Sequence, residues 1–126
     1  MHNMLLILKA LADRNRLRMA AALMKFEELC ACQIIELLQI RGATVSRHLS
    51  QLVHAGILEN RKEGRWVYYR MNRSNEMIVP VLNWIEKELK HDAELIKDRK
   101  TLESIMACDP EEICRKQRGE ACCPRK

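Results

Sequence analysis

Within ATVSRHLSQLVHAGILENRKEGRWVYYRM, residues 43 to 71, the spacing of the apolar side chains changes once and sharply. Up to residue 55, Val45, Leu49, Leu52 and Val53 recur at the spacing of one helix face. Gly56 follows, and glycine most readily takes the left-handed turn that ends a helix. Two extended runs, 57 to 62 and 65 to 71, then flank Glu63 and Gly64, and the second is rich in Val, Trp and Tyr. That pattern predicts a hairpin. Upstream, Ile34, Ile35, Leu37 and Leu38 mark a helix over about 32 to 39, and the break IRG puts Gly42 in the turn before the next helix. Two helices joined by a short turn and followed at once by a hairpin describe a winged helix-turn-helix. The expected class is therefore mainly α with a small β-hairpin, the second helix of the pair entering the major groove.

The remaining runs are helical. Residues 4 to 11, MLLILKAL, are apolar almost all round, so that helix must be buried, in so small a chain most simply against a second subunit. Asp13 and Asn15 are candidate caps for a helix over about 15 to 25. From about 76 to 106 a helical period returns through Ile78, Leu82, Ile85, Leu89, Leu95, Leu102 and Ile105, with Pro80 in its first turn. Asp109 and Pro110 open a last short helix, and RGEACCPRK reads as a loose tail. The 126 residues divide into a DNA-binding and dimerisation unit over 1 to 106 and a Cys-containing tail over 107 to 126.

Charge points to a partner. Residues 41 to 73 hold seven Arg or Lys against Glu59 and Glu63, so the whole formal charge of +5 lies there and the rest of the chain balances. A basic third of a small domain is the footprint of a nucleic-acid-binding surface. Opposite Val45, Leu49 and Leu52 stand Thr44, Ser46, Arg47, His48 and Gln51, whose side chains have the reach and polarity to meet base edges. Arg61, Lys62 and Arg65 surround the hairpin tip, placed to meet phosphates or the minor groove. Trp66 and Tyr68 share one strand face, against DNA or against the core.

No run is long enough to span a bilayer, and the N-terminal apolar stretch is broken by Lys9 and Asp13, so the expectation is a cytoplasmic protein with no membrane partner. There six cysteines stay reduced and read as metal or redox ligands rather than disulfides. Cys30 and Cys32, in ELCACQ, lie beside the helix-turn-helix and near a helix start, which favours thiolate. In a regular helix two residues apart differ by about 200°, so one ion held by both would have to unwind the backbone. An enzyme is not expected: no C-x-x-C in a strand-helix alternation, no Gly-rich phosphate loop and no paired acid and base are present.

KALADRNRLRMA, ELCACQI, the stretch from 43 to 71 and the helix after it together resemble the ArsR family of thiol-rich, metal-sensing repressors, over residues 3 to 105. The resemblance implies a homodimeric winged-helix repressor of metal or metalloid resistance genes. It further implies dimerisation through the N-terminal helix and a long C-terminal helix, and release from double-stranded operator DNA when an inducer binds. Thiolates select soft ions: trivalent arsenic, As(III), or antimony, Sb(III), or else cadmium, lead or zinc. In the arsenical branch a third cysteine follows the second by three positions, where this chain has Ile35. Candidates for the missing sulfur are Cys108, Cys114, Cys122 and Cys123, from the same subunit or its partner. Cys122 and Cys123 could also take an arsenical by themselves, and a dithiol would suit an organoarsenical. A thiol-redox repressor of the same fold is the alternative. The family's other site, on the last helix, finds only His91, Asp92 and Glu94, which read as a solvated face. Arg41 and Gly42 stand where the family has a better cap for the DNA-reading helix.

Overall fold

Helix starts and stops set the architecture. In the computed structural model, which describes residues 1–118, α1 (His2–Leu11) is followed by α2 (Arg14–Lys25), whose first turn is capped by the Asp13 carboxylate accepting from Arg16 N–H at 3.1 Å. Asn15 lies inside α2 instead, accepting from Arg18 at 3.2 Å. A two-residue strand β1 (Leu29–Cys30) leads directly into α3 (Ala31–Leu38). Gln39, at φ 55°, closes α3, its N–H donating to Ile35 O at 2.9 Å and its side chain to Glu36 O at 2.7 Å.

The DNA-reading helix of the sequence prediction is α4 (Gly42–His54), and no side chain of Arg41 caps it. It ends in a complete Schellman motif: Gly56 N–H donates to Val53 O and Ile57 N–H to Leu52 O, both at 3.0 Å, with Leu52 and Ile57 fully buried beside each other in the core. Gly56 takes φ +81°, and its carbonyl accepts from the side-chain amides of Asn72 and Asn75.

The hairpin is β2 (Leu58–Glu63) and β3 (Trp66–Met71), shifted by one residue from the expected runs, so Gly64 and Arg65 form the loop rather than Glu63 and Gly64. Glu63 pairs with Trp66, and Gly64 at φ +63° supplies the positive angle at the first loop position. A third strand was not anticipated. β1 pairs antiparallel with β3, giving the sheet order β1-β3-β2 and setting Cys30 against Tyr68.

The run expected over 76 to 106 is not one long helix. A 3-10 turn (Glu76–Ile78) leads into α5 (Val79–Glu88), with Pro80 in its first turn, and the chain then breaks before α6 (Ala93–Met106). Asp92 causes the break, its carboxylate capping Leu95 N–H at 3.1 Å. So turned, α6 packs across α2 and α3, and Asp98, nearly buried, takes a two-pronged grip from Arg18 at 2.9 and 3.0 Å. The helix expected after Asp109 is α7 (Pro110–Arg118), folded back on α3 with Ile113 and Cys114 buried.

The core gathers Met19, Leu23, Leu29, Ile34, Leu49, Leu52, Ile57, Leu58, Ile78 and Leu102 from both ends of the chain. α1 buries only Ile7, Ala10 and Leu11, leaving Met4, Leu5 and Leu8 exposed, and Leu8 lines a shallow apolar hollow with exposed Trp84 of α5. Among the described residues no helix is long and apolar enough to cross a membrane.

Three substitutions test this packing. A Cβ on Gly56 would meet the Asn75 amide at 2.9 Å, and that amide is fixed by its own bonds, whereas a Cβ on Gly64 meets nothing within 4 Å. Both positions carry the left-handed cost, so Gly56→Ala should lose about 2 kcal/mol and Gly64→Ala about 1 kcal/mol in urea unfolding. Asp98→Ala strands the part-buried Arg18 and should cost about 3 kcal/mol by the same measurement.

Candidate functional site

On α4 the buried stripe is Val45, Leu49 and Leu52, and Ser46, Arg47 and Gln51 stand exposed on the opposite face, with Thr44 half-buried. His48 departs from that face. Its Nδ1 lies 2.9 Å from Arg16 Nη1, and its side chain is 14% exposed. A guanidinium only donates, so Nδ1 accepts and the ring proton sits on Nε2, 4.0 Å from the Asp13 carboxylate. Arg16 also donates from Nε to Ala10 O at 2.6 Å. His48 is thus a brace between α4 and the end of α1 rather than a side chain aimed at bases.

The wing divides in the same way. Lys62 and Arg65 are exposed beside the loop. Arg61 is held: Nε and Nη2 each lie 2.8 Å from an oxygen of Glu28, Nη1 lies 2.6 Å from Glu63, and the guanidinium carbon sits 4.6 Å from the Tyr68 ring centroid. That grip holds the Glu28 carboxyl below the usual carboxylate range. Trp66 belongs to the interior, with Tyr68 packed against its cluster.

That cluster is the thiol site. Cys30, Trp66 and Cys114 are buried together, with Cys32 and Tyr68 packed on them, so α7 of the same chain brings one tail cysteine to the pair at the start of α3. Cys30 is the cap of α3, its backbone extended at φ −85° and ψ 161°. Its sulfur accepts from the N–H of Gln33 while its own N–H donates to Gln33 Oε1 at 2.9 Å, a capping box in which sulfur replaces the usual hydroxyl oxygen. The 200° separation expected of Cys30 and Cys32 therefore does not arise, because Cys30 is outside the helix. Their side chains meet without any unwinding.

The three sulfurs form a row with Cys32 in the middle. The Cys32 thiol donates to Cys30, and that bond, reinforced by the Gln33 and Cys32 N–H groups at the helix start, lowers Cys30 to about 7. Cys32 is pushed up, first by that same hydrogen bond, then by burial and by Cys114. The negative charge of the pair thus rests on Cys30. Gln117 of α7 ties the arrangement down, its Nε2 donating to Cys32 O at 2.7 Å. Among the described residues no three Cys, His, Asp or Glu side chains are set around a metal position.

The other candidates go elsewhere. Cys108 is exposed, with its thiol toward Ser104 O at 3.6 Å, and Cys122 and Cys123 lie outside the described residues. Asp92 caps α6, Glu94 pairs with Arg14 at 2.8 Å, and His91 is exposed. Sequence reasoning missed two signals: Gln33 three residues after Cys30, which marks the capping box, and Glu28, which partners the wing.

Comparison with known proteins agrees with this geometry. The model of the bacterial regulatory protein, arsR family, matches residues 13–60. The arsenic resistance transcriptional regulator ArsR1 of Pseudomonas putida is 39% identical over 85 residues, 68% of this chain but 62% of that protein's own length, so this chain spans about three-fifths of it. The cadmium resistance transcriptional regulatory protein CadC of Listeria innocua is 33% identical over 70% of this chain and 70% of its own. In fold, a winged helix-turn-helix domain from Mycobacterium bovis superposes with a TM-score of 0.61 at 24% identity, covering 73% of this chain and 82% of that one. A relative 33% identical over 70% of its own length and of this chain's, together with the family model over residues 13–60, leaves one assignment: the chain belongs to the ArsR family of bacterial regulatory proteins.

Proposed function

We propose that this chain is a homodimeric transcriptional repressor that holds double-stranded operator DNA through α4 and the wing. In this reading it lets go when trivalent arsenic or antimony is taken by Cys30, Cys32 and Cys114. The observation that carries the reading is the meeting of three thiols from opposite ends of the chain against Trp66. For the DNA surface the support is the exposed row Ser46, Arg47 and Gln51 beside Lys62 and Arg65. A second copy would cover the exposed apolar side chains Met4, Leu5 and Leu8 of α1 and Trp84 of α5.

Charge separates arsenic from cadmium. Arsenous acid reacts with three thiols to form three As–S bonds and release three waters, leaving a neutral product. Cadmium or zinc on three thiolates leaves a net charge of minus one in the same place, with Cys30 wholly buried against Trp66. The printed name of the Pseudomonas relative concerns arsenic and that of the Listeria relative cadmium, so both ions belong in the test.

Coupling to DNA runs through α3. Ligation draws on the Cys30 sulfur that caps α3, and α3 packs on α4, so closing the thiol row competes with the DNA-competent arrangement. A coupling of about 1 to 3 kcal/mol would weaken operator binding by roughly 5- to 150-fold.

A gel shift on the chain's own upstream region checks the reading. Arsenite and antimonite should release the DNA, and release by cadmium or by peroxide alone would overturn it in favour of another inducer. Cys114→Ser should raise the arsenite needed for half release by about tenfold or more, while Cys108→Ser should leave it unchanged. Binding should also weaken steeply with salt, and Lys62→Ala should reduce the salt slope by about one with sequence preference intact.

A further inference from the structure

Arg61 is gripped as a guanidinium grips a phosphate. Two of its nitrogens meet the two oxygens of Glu28 in parallel at 2.8 Å, the fork geometry that serves carboxylate and phosphate alike. Both side chains lie open to water, Arg61 47% exposed and Glu28 25%. The pair is bidentate and shared with Glu63, yet water reaches it, so a polyanion can compete for the same fork. Arg61 stands on the edge strand of the wing, one residue before exposed Lys62.

The row across the sheet is also informative. Cys30 is the strand partner of Tyr68, and Tyr68 is the partner of Arg61. Glu28, two residues before Cys30 and just outside β1, reaches the Arg61 fork with its side chain. One row of the sheet therefore joins the thiol cluster, the Tyr68 ring and the Arg61 fork.

We propose that Glu28 occupies the seat of a DNA phosphate on Arg61. The wing carries a phosphate site whose fork is filled by the chain's own Glu28 carboxylate, with Glu63 on the remaining nitrogen at 2.6 Å, and a duplex backbone must displace Glu28 from it. Because Glu28 stands just before β1, two residues from Cys30, ligation of the thiols acts on the segment that carries the carboxylate competing with DNA. The inference rests on the reading of the wing as part of the DNA surface.

Glu28→Gln removes the charge while keeping the shape. Measured on the full chain by fluorescence anisotropy with the upstream duplex across a salt series, it should tighten binding about threefold or more. The salt slope should steepen by about one as Arg61 gains a phosphate. Glu28→Ala should do the same, and Arg61→Ala should cancel the gain in the double variant. If Glu28→Gln weakens binding or leaves affinity and slope unchanged while Lys62→Ala lowers the slope, the competition is refuted and the wing surface stands. If neither variant moves the slope, the wing is not a DNA contact and both readings fall.

Discussion

Cys30 meets three demands at once. Its backbone pairs with Tyr68 in the sheet, its N–H is satisfied by Gln33, and its sulfur closes the start of α3. Because the same residue is a strand end and a helix cap, the sheet and the helix-turn-helix cannot shift independently. Where Ser or Asp usually caps a helix, a thiol accepts a weaker hydrogen bond. A helix start closed by sulfur is stable enough to form and soft enough to be altered by anything that takes the sulfur, which is the property an inducible regulator needs.

What was legible in the sequence was what repeats. The helix pair and the hairpin were readable because Val45, Leu49 and Leu52, and then the strand residues, keep their periods long enough to be recognised. The hairpin register slipped by one residue because loop geometry, set by Gly64 at φ +63°, decides it rather than composition. β1 has two residues and no period to detect. The break before α6 was hidden because apolar spacing runs on through Leu89 and Leu95, and only the local cap of Asp92 interrupts it. Cys114 stood among four tail candidates with nothing local to prefer it, since its choice is made by α7 packing on α3.

Counting charge along the chain has the same weakness. The basic window of residues 41 to 73 omits Glu28, which the fold brings onto Arg61, and within the window Arg70 is matched to Glu59 at 2.7 Å. Long-range attraction to a polyanion survives such pairing, because it depends on the net field. Short-range contact does not, because a guanidinium already in a fork must first release its partner. The same sequence charge thus divides into paired and open groups, and Arg41, Arg47, Lys62, Arg65 and Arg73 are the exposed cations of the window outside the two ion pairs just named.

The source of the third sulfur fixes which motion can carry a signal. Had it stood at position 35, all the ligands would belong to one helix start and binding would act on α3 alone. Ile35 instead packs toward the turn, 3.4 Å from where a Cβ on Gly42 would lie. Cys114 arrives by the return of the chain through α6, anchored at Asp98 to Arg18, and through α7, tied by Gln117 to Cys32 O. In the proposed site, closing three sulfurs on one atom therefore draws α7 against the start of α3, with α6 fixed to α2 as the support it pulls on. The response is a change in how two helices of one chain sit together, and α4, packed on α3, is the next element to feel it.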